Sequence, residues 1–146
     1  MHITNEEVLN AWLKLSTAIH NGRMPLEMPF NELLICGILY RNEKAEEPGE
    51  ITATDLCAET KMLKSQMNRT LNSMEKKGLI LRTRSEKDRR QVYIRFQMDK
   101  ADVYEKEHER ILVFVDRLMD KVGREHTEDI VRLFTLISNI AGEVIQ

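Results

Sequence analysis

A chain of 146 residues with 42% hydrophobic and 32% charged side chains has material for one packed domain plus helical extensions. No stretch approaches the ~18 apolar residues of a membrane helix, and the opening "MHITNEEVLN" has neither the basic nor the apolar region of an export signal. The net charge of −2 is unevenly spread: Thr52 to Gln97 holds eleven basic against five acidic residues, or +6, and the remainder eleven against nineteen, or −8. A basic middle between acidic ends is the footprint of a local polyanion site.

Helix signals begin at once. Thr4-x-x-Glu7 is the pattern of a capping box, and Val8, Leu9, Trp12, Leu13, Leu15 and Ile19 supply an apolar stripe behind it. "NGRMPLEMP" ends that helix, because Gly22, Pro25 and Pro29 oppose helix propagation. A second helix is expected over roughly Asn31 to Asn42, apolar almost all round and therefore central. After a polar loop with Pro48-Gly49 as its turn, Thr52 is placed to cap a helix of about two turns, with Asp55 at the third helical position.

A longer helix is then predicted from about Leu63 to Lys77, stopped by Gly78. "LILRTR" and "QVYIRF" bracket the loop "SEKDR", and in the second Val92, Ile94 and Phe96 alternate with polar residues, as in a half-buried hairpin strand. The last third reads as two helices. Asp99 is the expected cap of the first, which runs to about Val122 and begins with the polar run "YEKEHER", expected to be exposed or to span between bodies. Thr127 is the expected cap of the second, which is apolar over more than one face and so needs a partner to cover it.

Helix, short helix, longer helix and hairpin is the order of a winged helix-turn-helix, and the longer helix carries the test. Stepping ~100° per residue places Leu63, Met67, Leu71 and Met74 inward and Ser65, Arg69, Asn72 and Lys76 outward, flanked by Lys64, Gln66 and Asn68. That outer face has no acid. Arginine reads guanine bidentately, asparagine and glutamine read adenine, and serine or lysine holds phosphates. Without the hairpin that follows, an ordinary solvated helix face would explain the same composition.

The stretch from Glu50 to Phe96, with "LNSMEKKGLI" followed by Asp88-Arg89-Arg90 as a D-x-R wing motif, resembles the DNA-binding core of the MarR family of bacterial transcriptional regulators. The resemblance implies a mainly α fold with a small β-hairpin wing, divided into an N-terminal dimerisation helix over residues 1–28, a winged DNA-binding lobe over 29–98 and C-terminal dimerisation helices over 99–146. It further implies a homodimer on a pseudo-palindromic double-stranded DNA operator. Arg90 would then enter the minor groove with Asp88 orienting it, and Arg84, Lys87 and Arg89 would serve phosphates. The expected activity is transcriptional repression relieved by a small aromatic effector, for which Trp12, Met24, Met28, Phe30 and Tyr40 are the candidate lining, although core packing is the better explanation of them.

Other chemistries find less support. Cys36 and Cys57 lie in apolar helical patterns, which points to free thiols in a reducing, cytoplasmic setting, and neither has a neighbouring base to make it a redox sensor. Glu105, His108 and Glu109 have helical ligand spacing, but the run around them reads as a solvated, ion-paired helix, so no metal or other cofactor is expected. No phosphate-binding glycine loop, zinc-protease motif or nucleophile elbow occurs, which excludes the common enzyme signatures. The competing class is a winged-helix protein-interaction module, whose recognition helix would carry an apolar or acidic outer face.

Overall fold

The computed structural model describes residues 2–21 and 27–145. Helix α1 spans Asn5–Asn21 and starts with the expected capping box: Glu7 N donates to Thr4 Oγ1 at 3.2 Å, and Thr4 N to Glu7 Oε2 at 2.8 Å. Of the turn residues that follow, Gly22 and Pro25 lie outside the described residues. Pro29 is the cap of α2, Phe30–Lys44. Asn42 closes the next loop by bonding both the N–H and the C=O of Gly49, at 3.0 and 2.8 Å.

Helix α3, Ala53–Thr60, carries the second complete capping box, with Asp55 N on Thr52 Oγ1 at 3.1 Å and Thr52 N on Asp55 Oδ2 at 2.9 Å. The tight turn into α4, Lys64–Lys76, passes through Lys61 at φ 64°, a left-handed conformation rare for a residue with a Cβ. At its far end α4 is stopped by Gly78 at φ 75°. Strands β1, Ile80–Arg84, and β2, Val92–Phe96, pair antiparallel from Ile80 opposite Phe96 to Arg84 opposite Val92. A single bridge between Thr52 and Tyr93, with Ile94 N on Ile51 O at 2.8 Å, fastens the hairpin to the start of α3.

The core is one cluster under this lobe. Ile35, Cys36 and Leu39 of α2 meet Leu56 of α3, Met67, Leu71 and Met74 of α4, and Ile80, Ile94 and Phe96 of the hairpin. The central α2, expected to be apolar almost all round, is thus the element on which α3, α4, α5 and β2 pack, and it also buries Glu32. Burial pushes the Cys36 thiol up to about 12, with Glu32 raising it further and Lys77 opposing.

Four local expectations are corrected. Asp99 does not cap a helix; it lies in a 3-10 turn, Met98–Lys100, that leads into α5, Ala101–Val122. Thr127 is already the first residue of α6, Thr127–Val144, after a second 3-10 turn at Arg124–His126, and its hydroxyl is buried without a partner. The run "YEKEHER" is not wholly exposed, because Tyr104 and Glu107 are buried. Glu107 Oε2 accepts from the backbone N–H groups of Glu27 and Met28 at 2.9 and 3.2 Å, while its other oxygen takes Arg110 Nη1 at 2.8 Å, so α5 grips the chain entering α2. Finally, Leu63 caps α4 and is exposed, because the inward stripe starts only at Met67.

Helices α1 and α6 bury no residue against the rest of the chain. Trp12 is 64% exposed, Ile137 61% and Val144 74%, and Leu112, Phe114 and Leu118 on the second half of α5 are exposed as well. Such a continuous supply of uncovered apolar side chains marks an association surface.

A thiolate is the reactive form of cysteine, so the raised Cys36 pKa predicts slow alkylation. Iodoacetamide at neutral pH should modify the half-buried Cys57 well before Cys36, and both alike after denaturation, as mass spectrometry would read. Fast modification of Cys36 in the native protein would contradict the packing described.

Candidate nucleic-acid interface

Helix α4 is oriented by its apolar side. Met67, Leu71 and Met74 are fully buried, which leaves Lys64, Ser65, Asn68, Arg69 and Asn72 exposed and Gln66 half-buried. All six sequence-predicted recognition residues therefore lie on the outer side or its margin. The C-terminal end is tied down by Lys77 Nζ, which donates to both oxygens of the buried Glu32 at 2.9 and 3.0 Å. Glu32 and Lys77 escaped the sequence reading, since nothing in the order of residues reveals a contact between positions 32 and 77.

The wing tip is organised by two short polar side chains. Ser85 is buried, and its Oγ accepts from the N–H groups of Lys87 and Asp88 at 3.1 and 3.2 Å. Asp88 Oδ1 then accepts from the Arg90 backbone N–H at 3.1 Å and from Arg90 Nε at 3.3 Å. The acid within the basic run thus both shapes the turn and holds a guanidinium. With the Arg90 side chain 92% exposed the pair adds at most ~1 kcal/mol to stability; its consequence is a narrower choice of rotamers for an outward-facing arginine. Ser85 was not singled out from sequence, although a serine opening a turn is a legible signal.

The remaining basic residues divide into two groups. Arg84 Nη1 is spent on the Arg89 carbonyl at 2.8 Å, Arg82 Nη2 on Asn72 Oδ1 at 2.9 Å, and Arg95 forms a bidentate pair with Glu43 at 2.9 and 3.0 Å. These three brace the wing. Among the described residues, Lys64, Arg69, Lys87 and Arg89 have no such side-chain partner and stand in solvent. Arg84 thus braces the wing through one N–H while remaining exposed, and Lys87, Arg89 and Arg90 are outward cations of the wing.

The four candidate effector residues among the described ones are not gathered in one place. Met28 is in the core, Trp12 stands exposed on α1, and Phe30 lines a cleft of about 600 Å³ with Gln66, Arg69 and Ser73. Tyr40 is stacked in an aromatic group, its ring 4.9 Å from Tyr104 and 5.9 Å from Phe96, with its hydroxyl donating to Glu105 at 2.5 Å. Met24 lies outside the described residues. Of the potential metal ligands, Glu105 is thus engaged by Tyr40, and His108 Nδ1 sits 3.4 Å from the Tyr104 hydroxyl.

Compared with known proteins, residues 28–91 match the family model described as MarR family. This segment is similar to the MarR family. The match starts at the entry to α2 and ends at Gln91, one residue before β2, so it takes in α4 and the whole wing tip. No curated protein sequence matches the chain. Solved structures share the fold over nearly the whole chain, at identities that speak for the fold alone. The transcriptional repressor CouR, bound to a 23-mer DNA duplex, is 18% identical with a TM-score of 0.75 and 92% of each chain covered. The transcriptional regulator BldR from Sulfolobus solfataricus is 16% identical with a TM-score of 0.71, over 94% of this chain and 99% of that one. FabT from Streptococcus pneumoniae, in complex with DNA, is 17% identical with a TM-score of 0.63, over 95% and 93%.

On this geometry Arg90→Ala should weaken binding to a preferred duplex by about 1–3 kcal/mol, measured by fluorescence anisotropy at fixed salt. Asp88→Ala should give a smaller loss of the same kind, since it frees the arginine without removing it. Equal affinity of Arg90→Ala and the unaltered protein would take this arginine out of the interface.

Proposed function

We propose that the chain is a transcriptional regulator that binds double-stranded DNA in a sequence-specific manner, as a homodimer, in the cytoplasm. The observation that carries this reading is the polar outer face of α4, Lys64, Ser65, Asn68, Arg69 and Asn72, with Glu75 near its end as its one exposed acid, set beside a wing whose arginine is held by Asp88. A recognition helix of this kind enters the major groove, and an arginine at a wing tip suits the narrow, electronegative minor groove. Residues 29–98 act as the DNA-binding lobe. The apolar surfaces of α1, the end of α5 and α6, in segments 1–28 and 99–146, are covered by the same surfaces of a second copy. Two lobes then meet half-sites about one helical turn apart on a pseudo-palindrome.

The regulator works as a repressor, and a small aromatic effector relieves it by changing the distance between the two recognition helices. Once both half-sites cannot be held together, the avidity of the dimer is lost. The protein-interaction alternative expects an apolar or acidic recognition face, which α4 does not have.

Selection of bound sites from random DNA tests the reading: a pseudo-palindrome with half-sites ~10 bp apart is expected, and no sequence enriched above background would refute it. Sedimentation should give a dimer, and Ile137→Glu should yield monomers with DNA affinity lowered at least tenfold, as loss of a second site demands. A monomeric unaltered protein would rule out the two-lobe mechanism.

A further inference from the structure

Resting on the DNA-binding reading above, we infer that Arg82 is a positioning residue that sets what Asn72 can recognise: it turns the Asn72 amide so that Nδ2 faces the DNA as a donor, and Asn72 reads an acceptor on guanine or thymine. Sequence alone offers Asn72 as a two-handed reader of adenine. That mode needs Oδ1 to accept from the adenine amino group while Nδ2 donates to N7. In the structure Oδ1 already accepts from Arg82 Nη2 at 2.9 Å. A guanidinium beside that oxygen also repels the positive edge of an approaching amino group, whereas it leaves the amide nitrogen free to donate. The acceptors open to Nδ2 are O6 and N7 of guanine, O4 of thymine and N7 of adenine, and the last is disfavoured because the adenine amino group beside it meets the guanidinium.

The fork of Arg82 has little freedom to do anything else. Its Nε is out of reach of water and has no acceptor, so the side chain is inserted between the strand and α4 and does not extend as a phosphate-gripping arm. It comes from β1, whereas Asn72 is exposed on α4, so the bond joins the wing to the reading face across ten residues of sequence. A change in the pitch of the wing would accordingly alter the orientation of one reading group.

The test is selection of bound sites from random DNA with the unaltered protein, Asn72→Ala, Arg82→Ala and Arg82→Lys, with thermal unfolding confirming that each variant is folded. The unaltered protein should prefer guanine or thymine at one position of each half-site by about fivefold, the worth of one hydrogen bond. Asn72→Ala should lose that preference alone. Arg82→Ala should lose it at the same position although it removes no direct DNA contact, and Arg82→Lys, which restores a charged donor, should recover part of it. Should Arg82→Ala fail to fold, Arg82→Lys compared with Asn72→Ala decides. Adenine at that position, an unchanged preference in the Arg82 variants, or a uniform loss in Asn72→Ala would overturn the assignment. If the unaltered protein enriches no sequence at all, it is the DNA-binding reading that fails, and the assignment falls with it.

Discussion

Met67, Leu71 and Met74 are removed from water on one side of α4, and this anchoring decides what the opposite side can do. Burying each such side chain is worth about 1.5–3 kcal/mol, so a roll of the helix by even one residue would expose part of a stripe worth several kcal/mol. The outer face is therefore not adjustable. Ser65, Asn68, Arg69 and Asn72 point away from α2 because the methionines and leucine point into it. Lys77 on Glu32 and Gly78 at φ 75° then stop the helix and send the chain into the wing at a defined angle.

The wing applies the same logic with polar bonds. A two-stranded hairpin is marginal by itself, and here it is fastened at Tyr93 by the bridge to Thr52, nearer its base by Arg95 on Glu43, and at its tip by Ser85. Only after those bonds are made do Lys87, Arg89 and Arg90 remain as outward cations. The +6 charge of the Thr52–Gln97 segment thus overstates the number of arginines free to meet a polyanion, because several hold the scaffold together. What is left is fewer charges in a fixed arrangement, which favours discrimination over indiscriminate attraction.

Much of this was legible in the residues themselves. Both capping boxes, the buried central helix, the stop at Gly78 and the period-2 strand of Val92, Ile94 and Phe96 follow from local chemistry and spacing, whereas the pairing of Asp88 with Arg90 followed only from the family resemblance. Three kinds of feature did not. Caps assigned from a lone acid or threonine failed at Asp99 and Thr127, because each chain entry begins with a 3-10 turn that moves the first helical residue. Burial of Glu107 was hidden, since a carboxylate in a polar run looks solvated until a backbone from 80 residues away supplies its donors. The engagement of Arg82, Arg84 and Arg95 was hidden for the same reason: sequence reports a charge, and only the fold reports whether it already has a partner.

In the proposed homodimer the apolar arms and the polar lobe belong to one mechanism, because two recognition faces would be useful only if α1 and α6 held them at the spacing of a DNA turn. Hydroxyl-radical and methylation footprinting of the purified protein on its selected duplex tests that claim most directly. Two protected major-groove segments centred about 10 bp apart, with minor-groove protection at the outer edges that disappears in Arg90→Ala, is the pattern expected. A single protected segment, or protection spread evenly along the duplex and unaltered in that variant, would contradict it.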